Sequence, residues 1–300
     1  MAESDTLWHY TDAAGLLGIL AGNPEARDPN ASGPQKGRPT FRATAVEYLN
    51  DSRELLHGFK ILRKQLLLPK ADELDAASYR SDGTPGVANG PVNAKFLRAV
   101  CEEIKKVEKR TYDRHVPTYV TSFSEHQDAL SQWRGYCGGL DGFAIGINKT
   151  MIPGDGDIKC KPVNYTNTVR STPDLVDYMN EWMGRNFTET GGPSTEPELL
   201  ANRLREVAAF ATQYKHKGFA EEKEWRVIHL ARESSPEYRS RGTQLIPYVT
   251  WTVPADAIVA VRVGPGPNQH ENHLAAKGIL HAFSYTQAAE NLTVSRTPFR

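Results

Sequence analysis

Cysteine is scarce in this sequence: Cys101, Cys137 and Cys160 are its three, an odd number with no C-x-x-C spacing among them. That excludes a disulfide-stapled framework and a zinc knuckle, and reduced thiols are expected. Excess charge is also missing, since Lys plus Arg and Asp plus Glu each number 36. No global field draws the chain toward nucleic acid or an acidic membrane, so such attraction would need a local basic patch. Long apolar runs are lacking too. No window approaches the roughly 18 uninterrupted apolar residues of a membrane-spanning helix, and the opening MAESDTLWHYTD has neither a basic nor an apolar signal region. Neither secretion nor membrane insertion is expected, and a cytoplasmic location is. There is no internal repeat, which excludes solenoids. Gly264-Pro265-Gly266-Pro267 is the one glycine-rich phosphate-loop candidate, but its prolines lack N–H donors and it reads as a rigid turn. His270 and His273 have ligand-like spacing with only Glu271 beside them, so no metal site is assigned.

What is present suffices for a substantial core: 39% of residues are hydrophobic and 24% charged. One domain over 1–300 is expected, with a loop excursion near 69–91 and a helical insertion near 173–215. A strand at Leu7–Thr11 precedes a helix that ends at Gly22, and Phe41–Ala45 reads as extended. A helix runs from about Asp51 to Leu67, another from Ala94 to Arg110, and two more near Pro173–Asn186 and Glu196–Lys215. Val116–Phe123, Gly142–Ile147, Trp225–Leu230, Gln244–Trp251, Ile258–Val263 and Leu292–Ser295 read as strands, with a helix over Asn268–Leu280. Early helices and a late run of strands predict an α+β fold with mixed, mostly antiparallel sheets and flanking helices. They disfavour a regular βαβ alternation.

Three polar motifs share one pattern. In His9-Tyr10-Thr11, strand alternation points His9 and Thr11 together and Tyr10 away, offering an imidazole N–H and a hydroxyl just before a helix. The alternative makes Thr11 a helix cap and His9 an interior histidine. In Ser122-Phe123-Ser124 two hydroxyls share a face where a strand meets a loop, or Ser124 opens a turn. Trp133, Arg134 and Tyr136 follow nearby, with Trp133 open to a plain core role. In Glu222-Lys223-Glu224-Trp225-Arg226, Glu222, Glu224 and Arg226 would share a face, which pushes the two carboxylate pKa values apart and lets Arg226 anchor one. An ordinary exposed Glu–Arg pair is the alternative. Asp51 with Glu54 resembles a capping box, while Asn50 and Asp51 at that helix start could also hold a polar ligand and Glu54 could orient His9.

WHYT, YLNDSREL, YVTSFSE, SQWRGY, GFAIGI, FAEEKEWR and the closing VSRTPFR together resemble a bacterial family, domain-of-unknown-function family 2971, from Trp8 to Arg300. The 69–91 excursion and the helices over 173–215 fall outside that resemblance. A more distant resemblance is to the ADP-ribosyltransferase superfamily, whose sites take a His or Arg from a first strand, hydroxyls from a second and a Glu from a later one. His9-Tyr10-Thr11 is similar to the opening of the DNA-modifying ADP-ribosyltransferase toxins and to the RNA 2'-phosphotransferases. Ser122-Phe123-Ser124 is similar to the superfamily's Ser-Thr-Ser element, and Glu222-Lys223-Glu224 to its Glu-x-Glu element.

That resemblance implies a split sheet and NAD as co-substrate. It implies Glu224 on the nicotinamide ribose and Glu222 as acceptor base. His9, Tyr10, Thr11, Asn50, Asp51, Ser122, Ser124, Trp133, Arg134 and Arg226 would surround the ligand. Tyr10, Trp133 and Tyr136 are the candidates to stack on nicotinamide. The implied product is an ADP-ribosylated macromolecule, nucleic acid or protein, in a toxin or antiviral defence setting. An NAD glycohydrolase and a nucleotide-sensing module without turnover are the rivals, and RNA 2'-phosphotransfer, which wants a basic site, ranks last.

Overall fold

The chain opens with strand β1 (Thr6–Thr11), in which Trp8 and Tyr10 share one face and Leu7, His9 and Thr11 the other, followed by helix α1 (Ala13–Ala21). Asp12, not Thr11, caps α1 by accepting from Gly15 N at 2.7 Å. Gly22 ends it at a φ of 66°, a left-handed value that glycine takes without strain. The computed structural model describes residues 5–22, 38–49, 53–77, 90–109, 111, 116, 118–137, 141–154, 156–187, 193, 195–231 and 235–298. Next come β2 (Thr40–Ala45), α2 (Arg53–Leu62), α3 (Leu68–Ala77) and α4 (Gly90–Glu108). The middle holds β3 (Tyr119–Ser124), α5 (Leu130–Tyr136), β4 (Phe143–Asn148), β5 (Ile158–Pro162) and β6 (Asn164–Tyr165). Helices α6 (Pro173–Phe187) and α7 (Pro197–Ala211) lead to β7 (Tyr214–Lys215) and β8 (Glu224–His229). The chain closes with β9 (Glu237–Arg241), β10 (Gln244–Thr252), β11 (Ile258–Val263), α8 (Gln269–Ala282), α9 (Thr286–Glu290) and β12 (Leu292–Val294).

The expected excursion begins inside a helix instead. α2 passes into α3 through a π turn at Arg63–Leu67, where Leu68 N donates to Arg63 O, five residues back. Pro69 lies just beyond and has no N–H to return to the preceding turn, so a widened turn lets the helix carry on. Leu67 and Ala71 are fully buried there, packing that the polar composition of the segment conceals. Residues 78–89, the rest of that excursion, lie outside the described residues, as do Asn50 and Asp51.

The fold is α+β, with a mixed and mostly antiparallel sheet. Ten strands form it, in the order β12-β11-β4-β1-β3-β2-β10-β9, with β8 against β3 and β5 against β8. Strand β3 is the branch point. One of its edges pairs along its whole length with β8, from Tyr119↔His229 to Ser124↔Glu224. Its other edge is shared: Ser124 pairs with Trp8 of β1, while Tyr119 and Val120 pair with Ala45 and Thr44 of β2. Among the described residues Thr121, Ser122 and Phe123 have no strand partner on that edge. The sheet therefore opens between β1 and β2.

Period-2 alternation sends each strand's side chains to two cores. Phe41, Phe123, Ile145, Val227 and Val261 meet Leu16, Leu20, Leu280 and Tyr285 from α1, α8 and the start of α9. On the other face Val120 and Ile228 meet a helical layer that includes Phe59, Leu97, Met179, Trp182 and Leu204. A smaller cluster on that face joins Trp8 and Tyr10 to Trp133 of α5. No helix among the described residues is long and apolar enough to cross a membrane.

Candidate active site

At the branch point, strand register puts Ser122 beside Arg226 and Ser124 beside Glu224 on one face. Glu224 is only 4% exposed. Its carboxylate accepts from Ser122 Oγ at 2.7 Å, Lys215 Nζ at 2.9 Å, and Arg226 Nε and Nη2 at 2.7 and 3.0 Å. Arg226 also donates to Thr212 O, at 2.6 Å, and to Glu54. Lys215 also reaches Glu54 at 2.9 Å and Glu222 at 2.6 Å. Three carboxylates thus share two buried cations, and negative charge is in excess. Burial pushes the Glu224 pKa up, but Arg226 and Lys215, with the hydrogen bonds from Arg226 and Ser122, overcome it and hold the carboxyl at about 2. Glu222 goes the opposite way: burial raises its pKa above the usual value against the hydrogen bond and the charge of Lys215, and the charges of Glu224 and Glu54 push it further up.

Glu222, Glu224 and Arg226 of the FAEEKEWR motif do not all sit on one strand. Glu224 and Arg226 share a face of β8, as alternation predicts. Glu222 ends a 3-10 turn (Lys217–Glu222), and Lys223, at a φ of 44°, reverses the chain between them. Glu222 and Glu224 meet because both reach Lys215. Ser124 fixes this corner, donating to Glu222 O at 2.7 Å and accepting from His126 N.

A cleft of 1470 Å³ opens where the sheet divides. His9 and Thr11 of β1 line one side, Arg42 and Thr44 of β2 with Arg239 of β9 the other, and Ser122 and Glu222 the floor. His9 and Thr11 stand on the sheet face opposite Ser122, because His9 is in register with Ile145 and Trp8 with Ser124. The split is what lets both faces drain into one cleft. His9 Nδ1 donates to Ser122 O at 2.9 Å, so this imidazole N–H serves the backbone rather than a ligand. Its pKa is lowered, first by burial and further by the Arg239 cation, against the opposing Ser122 bond. Glycine at position 15 gives the Thr11 hydroxyl its room, since a Cβ there would fall 1.8 Å from Thr11 Oγ1.

Several expected ligand contacts fall elsewhere. Glu224 does not line the cleft, because Ser122, Lys215 and Arg226 enclose it; Glu222 does. The Tyr10 ring packs against Trp133 at 4.6 Å, with its hydroxyl donating to His126 O and accepting from Ala129 N. Trp133 is 2% exposed and donates to Asp128 at 2.8 Å, so it serves the core. Arg134 is exposed on α5 outside the cleft lining. Of the three aromatic candidates, Tyr10 and Tyr136 border the cleft and Trp133 does not; Tyr10 is buried, while Tyr136, exposed on α5, lies within electrostatic reach of Glu224, Lys215 and Arg226. Glu54 joins Lys215 and Arg226 rather than His9. No group of three or more His, Cys, Asp or Glu suited to hold a metal occurs among the described residues.

Lys215 is the residue that sequence reasoning missed. It follows α7 in Gln213-Tyr214-Lys215-His216-Lys217, where two lysines look alike and nothing marks one as buried. The short parallel pairing of β7 with β6 turns it inward. Phe219 was missed as well; it lines the cleft, with the Lys215 ammonium 5.1 Å from its ring centre.

A family model described as a protein of unknown function (DUF2971) matches residues 132–227. The match contains Lys215, Glu222, Glu224 and Arg226, and it runs through α6 and α7, which the motifs alone left outside the resemblance. No curated protein and no solved structure matches the chain.

Proposed function

We propose that this chain is an NAD-dependent ADP-ribosyltransferase that releases nicotinamide and modifies a macromolecule, working at the cleft where β1 and β2 part. The observation that carries the reading is the carboxylate cluster with its excess of negative charge, set at the floor of a split sheet opposite His9 and Thr11. Cleaving the N-glycosidic bond builds positive charge on the ribose, and a fixed carboxylate in a water-poor site stabilises that charge as it forms. The order of elements, His from the first strand, Ser from a middle strand and Glu from a later one, supports the same reading by its resemblance to the superfamily.

In this reading Glu222 faces the ribose and takes the role that the motif order gave to Glu224. Its raised pKa also suits it to take a proton from the acceptor. Glu224 positions Lys215 and Ser122 and holds the local field. Tyr136 and Phe219 offer the aromatic surface for nicotinamide. A toxin or antiviral defence setting belongs to the same proposal.

The test incubates NAD, labelled in its adenosine half, with the protein and a mixture of DNA, RNA and lysate, and follows nicotinamide by mass spectrometry. Nicotinamide release with label retained on macromolecule is the expected result, reduced about 10²-fold or more in Glu222→Gln. Release with all label in free ADP-ribose would identify the glycohydrolase rival. Binding of NAD without release would identify a sensing module.

A further inference from the structure

We propose that Arg42 and Arg239, assisted by Arg241, form an oxyanion site on the cleft wall built by β2, β9 and β10, and that it takes the phosphate groups of a nucleotide or nucleic-acid ligand. The register places Thr44, Tyr248 and Glu237 in one row across these strands. Arg42 lies two residues to one side of that row on β2, and Arg239 two residues to the other side on β9. Both side chains lean inward. The Arg42 guanidinium sits 5.0 Å from the centre of the Tyr248 ring, and Arg239 Nη2 donates to Thr44 Oγ1 at 3.1 Å. Two guanidinium groups therefore converge from opposite directions on one patch of the wall.

Among the described residues no carboxylate pairs with either Arg42 or Arg239, and Arg239 Nε is buried without a hydrogen-bond partner. Glu237 closes the row but accepts from the Tyr248 hydroxyl at 2.8 Å instead. Burial, then the like charges of Arg42 and Arg239's neighbour Arg241, lowers the Arg239 pKa, while Tyr248 and Asp12 across the cleft oppose this only partly. Gathering like charges costs energy unless a ligand supplies the opposite charge. Planar guanidinium forks, with the Thr44 and Thr250 hydroxyls beside them on the lining, match phosphate oxygens in geometry as well as sign. At 1470 Å³ the cleft exceeds the roughly 300 to 1,000 Å³ usual for one small ligand, so phosphates can lie here while another group reaches the floor. This local patch exists within a chain of zero net charge.

The site stands apart from nicotinamide release, because its test reads binding alone. Inorganic pyrophosphate, ADP-ribose and a fluorescein-labelled single-stranded oligonucleotide would be titrated by calorimetry or anisotropy, with succinate as a dianion without phosphorus. Wild-type protein should bind pyrophosphate and at least one of the other phosphate ligands, more weakly as salt rises. Arg42→Glu, a change at an exposed side chain, should weaken that binding about tenfold or more, and Arg239→Lys should weaken it less. Preference for ADP-ribose assigns the phosphates to a dinucleotide, and preference for the oligonucleotide assigns them to a nucleic-acid strand. Unchanged pyrophosphate affinity in Arg42→Glu, succinate bound as tightly as pyrophosphate, or no binding of any phosphate probe would overturn the site.

Discussion

Two charged regions face the same cleft and are built on opposite terms. At the branch of the sheet, Glu54, Glu222 and Glu224 surround Lys215 and Arg226, and almost every donor and acceptor is used. On the wall of β2, β9 and β10, Arg42 and Arg239 gather, and among the described residues neither makes an ion pair. The first region is complete without a ligand, so it holds its geometry at rest. The second is incomplete without one. Buried charges are tolerated when paired, as in the first region; the second sets an exposed Arg42, screened by water, beside a half-buried Arg239 that it repels.

Breaking the complete region should cost most. Arg226→Met removes the cation that bridges Glu54 and Glu224, and leaving those carboxylates unanswered should destabilise the fold by about 3–5 kcal/mol. Urea unfolding would measure it, and a loss below about 1 kcal/mol would show that Lys215 alone compensates.

An intermediate effect is expected from acid. Glu224 titrates lower in the fold than in the unfolded chain, so its stabilisation is present above the unfolded pKa and is lost as pH falls from about 4.5 toward about 2. Glu222 has the opposite sign, with its folded pKa raised, so its contribution is greatest at low pH and lost as pH rises through that value. Thermal unfolding from pH 2 to 7 should therefore lose its acid-sensitive step in Glu224→Gln and keep it in Glu222→Gln. Equal loss in both variants would mean that the pair titrates as one unit.

The smallest effect is expected from the incomplete region. Arg42→Ala takes one charge from a self-repelling, exposed group and should change stability by no more than about 0.5 kcal/mol. A measured loss above about 1 kcal/mol would reveal a counter-charge and erase the contrast between the two regions.

Much of the fold was legible because strand composition is a local property. β1, β4, β8, β10 and β11 fall within a residue or two of their expected bounds, since each is a short run rich in β-branched and aromatic side chains that can be read locally. β9 was not legible: Glu237 to Arg241 has no apolar face, and only pairing with β10 makes it a strand. α3 was missed because Asp, Glu and Lys dominate a helix whose buried stripe is narrow. In the site, alternation paired Ser122 with Ser124 and Glu224 with Arg226 correctly. It could not say that His9 and Ser122 stand on opposite faces, because register between strands is not written in either strand alone. Nor could it find Lys215, whose burial depends on three carboxylates drawn from α2, the turn before β8 and β8 itself.

The bond from His9 to Ser122 O also dictates what a ligand must bring. A carbonyl can only accept, so Nδ1 carries the hydrogen, and with the pKa lowered the ring is neutral near pH 7 and its tautomer is fixed. The other nitrogen, Nε2, is then a lone pair. Toward any ligand His9 can therefore only accept through Nε2, from a hydroxyl or an amide N–H, and has no hydrogen to give a carbonyl or phosphate oxygen. The gap left in the sheet at Ser122 thus sets the polarity of recognition on the wall that faces the arginines.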